Sequence, residues 1–290
     1  MLVCKDGVRL WLRKTHTLAV EAMFGESQSM KRFKFVVFAL ILLVFFASML
    51  PFYPLLFLMP DAIRPVLILF VSFYSKILMR VLGIRAEFKN SGLIKNEANF
   101  LIVSNHLSYL DVLILSSRFP AAFVTSQEVK ESPFLGQIVS LAGCLFVERR
   151  NRSGIRNEIA ALGSTLKCGM NVTIFPEATS TNGDGIKQFK RSLFEAALVN
   201  RKKVLPVTIN YTSINSRPVD PSNRDILCWY GDMDFFPHFL KLLDQREILV
   251  EITLSEPIAP DGQTSRTLAD ESFLRVSNSY KSFSITQELV

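Results

Sequence analysis

The apolar positions of the chain fall into two regimes. Residues 35–59 carry no charge and are mostly Phe, Leu, Val and Ala, which passes the length of about 20 residues that a membrane-crossing helix needs. Pro51, Pro54 and Pro60 interrupt the run after Leu50, so the unbroken leg reaches only about 24 Å at 1.5 Å per residue. A second apolar stretch, residues 66–74, then leads to Lys76 and Arg80. Beyond about Asn96 the pattern becomes short apolar runs alternating with amphipathic segments, as in an α/β sheet with covering helices. The runs predict strands at 100–103, 121–124, 144–147, 172–175, 204–209, 226–230 and 248–254. Between them the spacing predicts helices near 111–118, 133–142, 154–168 and 192–199, with Gly169 ending the third.

Composition narrows the partners. The 290 residues are 49% apolar with a mean hydropathy of +0.27, enough for one large domain and an appendage. A net charge of +7 suits nucleic acid or an anionic membrane surface. The aromatics are mostly Phe inside apolar runs, without basic-aromatic interleaving, which points to a lipid bilayer and away from nucleic acid. Basic residues flank the apolar region on both sides, Lys31, Arg32 and Lys34 before it and Arg64, Lys76, Arg80 and Arg85 after it. Such flanks favour a hairpin that enters and returns; one transmembrane helix followed by a soluble core helix is the alternative. Cys4, Cys144, Cys168 and Cys228 show no Cys-x-x-Cys spacing and read as reduced cytoplasmic thiols. The domain reading is therefore a basic segment at 1–34, a membrane hairpin at 35–82, an α/β domain at 83–258 and a polar tail at 259–290.

In open α/β sheets, sites form beyond the carboxyl ends of strands. The first predicted strand exits into Ser104-Asn105-His106-Leu107-Ser108-Tyr109-Leu110-Asp111. His106, one of three histidines, has a carboxylate five residues downstream, where a helix's first turn can fold the two side chains together as a general base and its orienting partner. The same residues fit a helix start with Ser108 as N-cap and Asp111 at N3, in which Asp111 is only a cap. The third exit carries Leu145-Phe146-Val147-Glu148-Arg149, the fourth Phe175-Pro176-Glu177-Ala178-Thr179-Ser180-Thr181, and the fifth strand contains Leu205-Pro206-Val207. Taken alone, Arg149 also reads as a solvated surface residue, Glu177 as a turn carboxylate and His238 as a packed or surface histidine.

These four blocks, in this order, resemble the glycerolipid acyltransferase family that includes the 1-acylglycerol-3-phosphate acyltransferases. His106 and Asp111 meet its His-x4-Asp block, and 143–149, 175–181 and 205–207 meet the other three. The resemblance implies a mostly parallel sheet flanked by helices. It also implies transfer of a fatty acyl group from acyl-CoA or acyl carrier protein to the hydroxyl of a lysophospholipid, foremost 1-acyl-sn-glycerol-3-phosphate. His106 and Asp111 would be catalytic; Asn105, Arg149, Glu177, Thr179, Ser180 and Lys190 would contact substrate. No cofactor beyond the thioester co-substrate and no metal is expected. The expected location is the inner or plasma membrane, with the site on the cytoplasmic side. Ala178 stands where the family has glycine and Ser180 where it has arginine, which leaves another lyso-lipid, such as a lyso-aminolipid, open as acceptor. A non-catalytic membrane scaffold of the same fold is the alternative from another class. Ester hydrolysis ranks last, because no Gly-x-Ser-x-Gly elbow occurs.

Overall fold

The structure, a computed structural model, describes residues 28–94, 99–133, 135–148 and 154–284. It begins with α1 (Gln28–Phe52), a short α2 (Tyr53–Leu58) and α3 (Pro60–Leu82). Proline occupies the first turn of both α2 and α3, where a helix has no use for the missing N–H. Gly83 ends α3 in the left-handed region at φ 76, with the Arg246 carbonyl where a Cβ would stand. The two long helices run antiparallel: the Phe52 ring lies 5.8 Å from Phe70, Phe45 meets Tyr74 edge-on at 5.3 Å, and Lys34 Nζ donates to the Leu82 carbonyl at 3.5 Å. Both are long and apolar enough to cross a membrane. They differ in packing, because Leu67, Ile68, Leu78, Met79 and Leu82 of α3 are buried while Phe33, Val36, Leu40, Leu43 and Val44 of α1 are exposed.

The remaining chain builds a sheet whose order is β1 (Ile84–Lys89), β8 (Ile248–Leu254), β6 (Val204–Ile214), β2 (Leu101–Ser104), β5 (Asn171–Ile174), β3 (Ala121–Ser126) and β4 (Leu145–Val147), with a short β7 (Arg217–Pro218) on β6. All pairings are parallel except β6 with β8 and with β7. β2 is buried at every position, as a central strand covered on both faces must be. β8 alternates buried and half-buried residues, as a strand with one core face does. The covering helices are α4 (Leu110–Arg118), α5 (Gln127–Glu131), α6 (Leu135–Leu141), α7 (Ile155–Lys167), α8 (Glu195–Val199), α9 (Phe235–Leu243) and α10 (Ser265–Ser279).

Two expectations are revised and one strand is added. The run at 226–230 is not a strand: a 3-10 turn at Arg224–Ile226 leads into a loop, and Leu227 and Cys228 are apolar because the loop is buried. Ile84–Lys89 is a strand that went unread, its Ile, Ala and Phe alternating with Arg, Glu and Lys. The expected polar tail contains α10, which opens on a Thr264–Thr267 capping box and buries Leu268, Ala269, Ser272 and Val276. The expected segment 1–34 lies outside the described residues up to residue 27. Cys144, Cys168 and Cys228 are free thiols.

Candidate active site

Because β2, β5, β3 and β4 are mutually parallel, their carboxyl ends leave the sheet along one edge. β2 delivers His106 there and β5 delivers 175–181. Asn105 governs how the chain turns off β2. Its Nδ2 donates to the Ile209 carbonyl at 3.0 Å and its Oδ1 accepts the Ile209 N–H at 2.8 Å. The side-chain amide thus extends the β2–β6 pairing one residue past the strand. Asn105 is 1% exposed, and its amide anchors the main chain just before His106.

His106 is held at three points. Glu177 Oε1 accepts its backbone N–H at 2.7 Å, and its carbonyl accepts the Thr181 N–H at 3.0 Å. Its Nδ1 lies 2.9 Å from Asp111 Oδ2. The same Oδ2 accepts the Leu107 and Ser108 N–H groups at 2.7 and 2.9 Å, while the Tyr211 hydroxyl donates to Oδ1 at 2.7 Å. The Asp111 carboxylate thus serves both ends at once: it reaches back to the N–H groups that precede α4 and contacts the His106 ring. Ser108 is not the N-cap; α4 begins at Leu110 after Tyr109. Phe175 stacks on the imidazole, centroids 4.0 Å apart and planes 12° apart, which fixes one face of the ring.

Glu177 was expected at the acceptor, yet both of its oxygens clip main chain. Oε2 accepts the Lys187 N–H at 2.7 Å, and the residue is 4% exposed. Burial pushes its carboxyl up to about 7, against the opposing pull of the N–H bonds from Lys187 and His106. Ala178 adopts φ 59, a left-handed conformation that costs a non-glycine residue about 1–2 kcal/mol. Thr179 and Ser180 are half-buried beside the dyad loop, with Thr179 Oγ1 donating to the Ser180 carbonyl at 3.3 Å. Lys190 has an exposed side chain, and its N–H bonds the Pro176 carbonyl at 2.9 Å. Arg149 lies outside the described residues. The strand before it, β4, is three strands from β2, roughly 14 Å at the usual inter-strand spacing.

Residues 280–284 hold the far side of this loop. The Tyr280 hydroxyl and the Phe283 N–H both donate to the Gly183 carbonyl, at 2.8 and 3.1 Å, and Ser284 and Arg224 bond the Asp184 carboxylate. Those interactions hold that carboxyl below its usual range, Ser284 first among them. His238 is packed, 4% exposed, with Nδ1 3.0 Å from the Tyr109 hydroxyl. Among the described residues, no group of His, Cys, Asp and Glu is arranged to hold a metal ion. Sequence reading missed Phe175, Tyr211 and the 280–284 strap as parts of the site. Only Phe175 carried a local signal, standing at the end of a strand beside the motif glutamate.

A family model described as Acyltransferase matches residues 85–210. The chain is 30% identical over 200 residues to the lyso-ornithine lipid O-acyltransferase of Rhizobium meliloti, covering 67% of this chain and 68% of that protein. It is 37% identical over 127 residues to the 1-acyl-sn-glycerol-3-phosphate acyltransferase of Neisseria gonorrhoeae, covering 43% of this chain and 50% of that protein. Among solved structures, the 1-acyl-sn-glycerophosphate acyltransferase PlsC of Thermotoga maritima superposes with a TM-score of 0.60 at 19% identity, over 87% of this chain and 94% of that one. That likeness establishes the shared fold.

Proposed function

The chain belongs to the acyltransferase family, and from that premise we infer that it transfers a fatty acyl group from a thioester to the free hydroxyl of a membrane lyso-lipid. The observation that supports this most directly is the buried Asp111 carboxylate, 2.9 Å from His106 Nδ1, a pairing that leaves Nε2 as the ring nitrogen for an acceptor hydroxyl. Nε2 takes the hydroxyl proton as the oxygen attacks the thioester carbonyl. The tetrahedral intermediate then collapses, breaking the carbon–sulfur bond, and the leaving thiolate receives the proton from the imidazolium. Asp111 keeps the imidazole in the tautomer with its proton on Nδ1 and balances the charge that forms on the ring. The thioester comes from acyl-CoA or acyl carrier protein. To Thr179 and Ser180, half-buried on the loop whose Thr181 N–H bonds the His106 carbonyl, we assign the developing oxyanion, and to Arg149 and Lys190 an anionic head group.

For the acceptor, two observations favour an amino-acid-containing lyso-lipid. Ser180 removes a cation that would grip a phosphomonoester, and the lyso-ornithine lipid O-acyltransferase of Rhizobium meliloti aligns over two thirds of the chain. The higher identity to the Neisseria 1-acyl-sn-glycerol-3-phosphate enzyme supports lysophosphatidate as the second reading. The hairpin supports a membrane location. Arg64 Nη1 near the start of α3 donates to Thr165 on α7 at 3.3 Å, and α3 runs directly into the sheet through Gly83. The helix therefore lies along the domain at both ends and leaves the apolar row of α1 facing outward. On this reading the hairpin enters one leaflet and returns, and the side we assign to the site is the cytoplasmic one.

The test is acyl transfer by the detergent-solubilised full chain with labelled acyl-CoA or acyl carrier protein, against lyso-ornithine lipid, lysophosphatidate and other lyso-lipids. Faster turnover of lyso-ornithine lipid supports the first reading, and preference for lysophosphatidate the second. No transfer to any acceptor from either donor refutes the activity.

A further inference from the structure

We propose that Tyr211 is a positioning residue for the dyad: its hydroxyl fixes the rotation of the Asp111 carboxylate and, through it, the plane of His106. The proposal rests on the reading of His106 as the base. The two Asp111 oxygens are unequally held. Oδ2 takes the His106 Nδ1 contact and two backbone N–H bonds, whereas the hydrogen bond to Oδ1 comes from Tyr211 at 2.7 Å. Donors converging on one oxygen fix its position and leave the carboxylate free to pivot, because the terminal torsion of Asp is broad and has no steep staggered wells. A donor on the second oxygen removes that freedom.

The strand is shaped to deliver it. β6 slips its register with β8 between Tyr211 and Ser213, a bulge of the kind that re-aims a side chain beside an active site. Two residues earlier Ile209 is locked to Asn105, so both anchors of the dyad loop come from one strand. Tyr211 is 3% exposed and Asp111 0%, which makes the bond strong and its loss costly. Burial and the neighbouring Asp111 charge hold the phenol far above its ordinary range, so it stays a donor at every working pH. The other ionisable groups that act on this pair are His106, Tyr109, Glu177, Cys228 and Tyr280; among the described residues, the hydrogen bond on Oδ1 comes from Tyr211.

A buried tyrosine could also bond a carboxylate for stability alone, so the test must separate position from folding. Tyr211→Phe is compared with Ile252→Val, a core change in β8, in full-length protein, reading melting temperature, kcat, KM and the 15N spectrum of selectively labelled histidine. The expected result is a kcat about tenfold lower with KM within twofold, and a moved or broadened His106 signal with His238 unchanged. Ile252→Val should soften the fold and keep kcat. A Tyr211→Phe protein with wild-type kcat, or with an unmoved His106 signal, overturns the proposal. The histidine spectrum decides it even if no acceptor turns over, an outcome that would refute the proposed function instead.

Discussion

Glu177→Gln separates the structural clip from any substrate contact. In the native protein one carboxylate oxygen accepts the His106 N–H and the other the Lys187 N–H, both at 2.7 Å. An amide keeps one acceptor and turns an NH2 group toward the second N–H, so one charged hydrogen bond is lost and a buried donor is stranded. Near pH 4.5 the folded carboxyl is protonated and strands a donor in the same way, so native and variant proteins should differ there by about 1 kcal/mol or less. Burial, net of the two N–H bonds, holds Glu177 near 7 against an ordinary 4.5, and at ~1.4 kcal/mol per pKa unit ionising it costs the folded state about 3 kcal/mol at pH 8. Gln escapes that cost, so at pH 8 the variant should be the more stable protein by about 2–3 kcal/mol. The sign with pH follows from proton counting. Between pH 4.5 and 7 the folded protein binds more protons at Glu177 than the unfolded chain, so native stability falls as pH rises through that window and is level above it. The native-minus-variant difference should therefore be highest near pH 4.5 and fall by about 3 kcal/mol toward pH 8, since every other group titrates in both proteins. Thermal unfolding of both from pH 4.5 to 8.5, with kcat at pH 8, measures it. The variant's kcat should drop at least tenfold, because the His106 backbone loses a tether. A native-minus-variant difference that stays constant or rises with pH, or an undiminished kcat, would refute the reasoning.

Other perturbations act on the same loop. Ala178→Gly relieves the left-handed strain at φ 59, worth about 1–2 kcal/mol, against a gain in unfolded-state freedom of about 0.4–1 kcal/mol; calorimetry should show a melting temperature raised by roughly 2 °C. Gly183→Ala places a Cβ 2.1 Å from Phe283 Cδ2 at φ 85, so the buried Phe283 ring must leave. That exposure and the left-handed cost together are about 3–5 kcal/mol, and the strap should become accessible to limited proteolysis, with kcat falling as the 177–187 loop loosens.

The legible parts of the sequence were those whose signal is local. His106 and Asp111 sit on one short segment, so their pairing follows from helix geometry, and β2, β5 and β8 stood out as compact apolar runs. β1 went unread because half its positions are charged, although Ile84, Ala86 and Phe88 alternate as a one-faced strand does. The loop after Arg224 was misread because buried loop residues such as Leu227 and Cys228 are as apolar as a strand. α10 was missed because serine and alanine supply half of its buried face. The supports of the dyad were the least visible. Ile209 and Tyr211 lie about a hundred residues from Asn105 and Asp111, and Tyr280 and Phe283 meet Gly183 across a similar distance. Only the fold brings them together. Motif matching assigned Asn105 and Glu177 to substrate; what it could not show is that their side chains also bond the main chain at Ile209, His106 and Lys187.

The central claim is that His106 removes the proton from the acceptor hydroxyl as that oxygen attacks the thioester. It is tested most directly by single-turnover acyl transfer with the preferred lyso-lipid, comparing wild type with His106→Ala at matched folding. The expected loss is about 10²–10⁴-fold in rate, with no labelled acyl group retained on the protein when the acceptor is omitted. A His106→Ala rate within tenfold of wild type, or a covalent acyl-protein that chases into product, would contradict it.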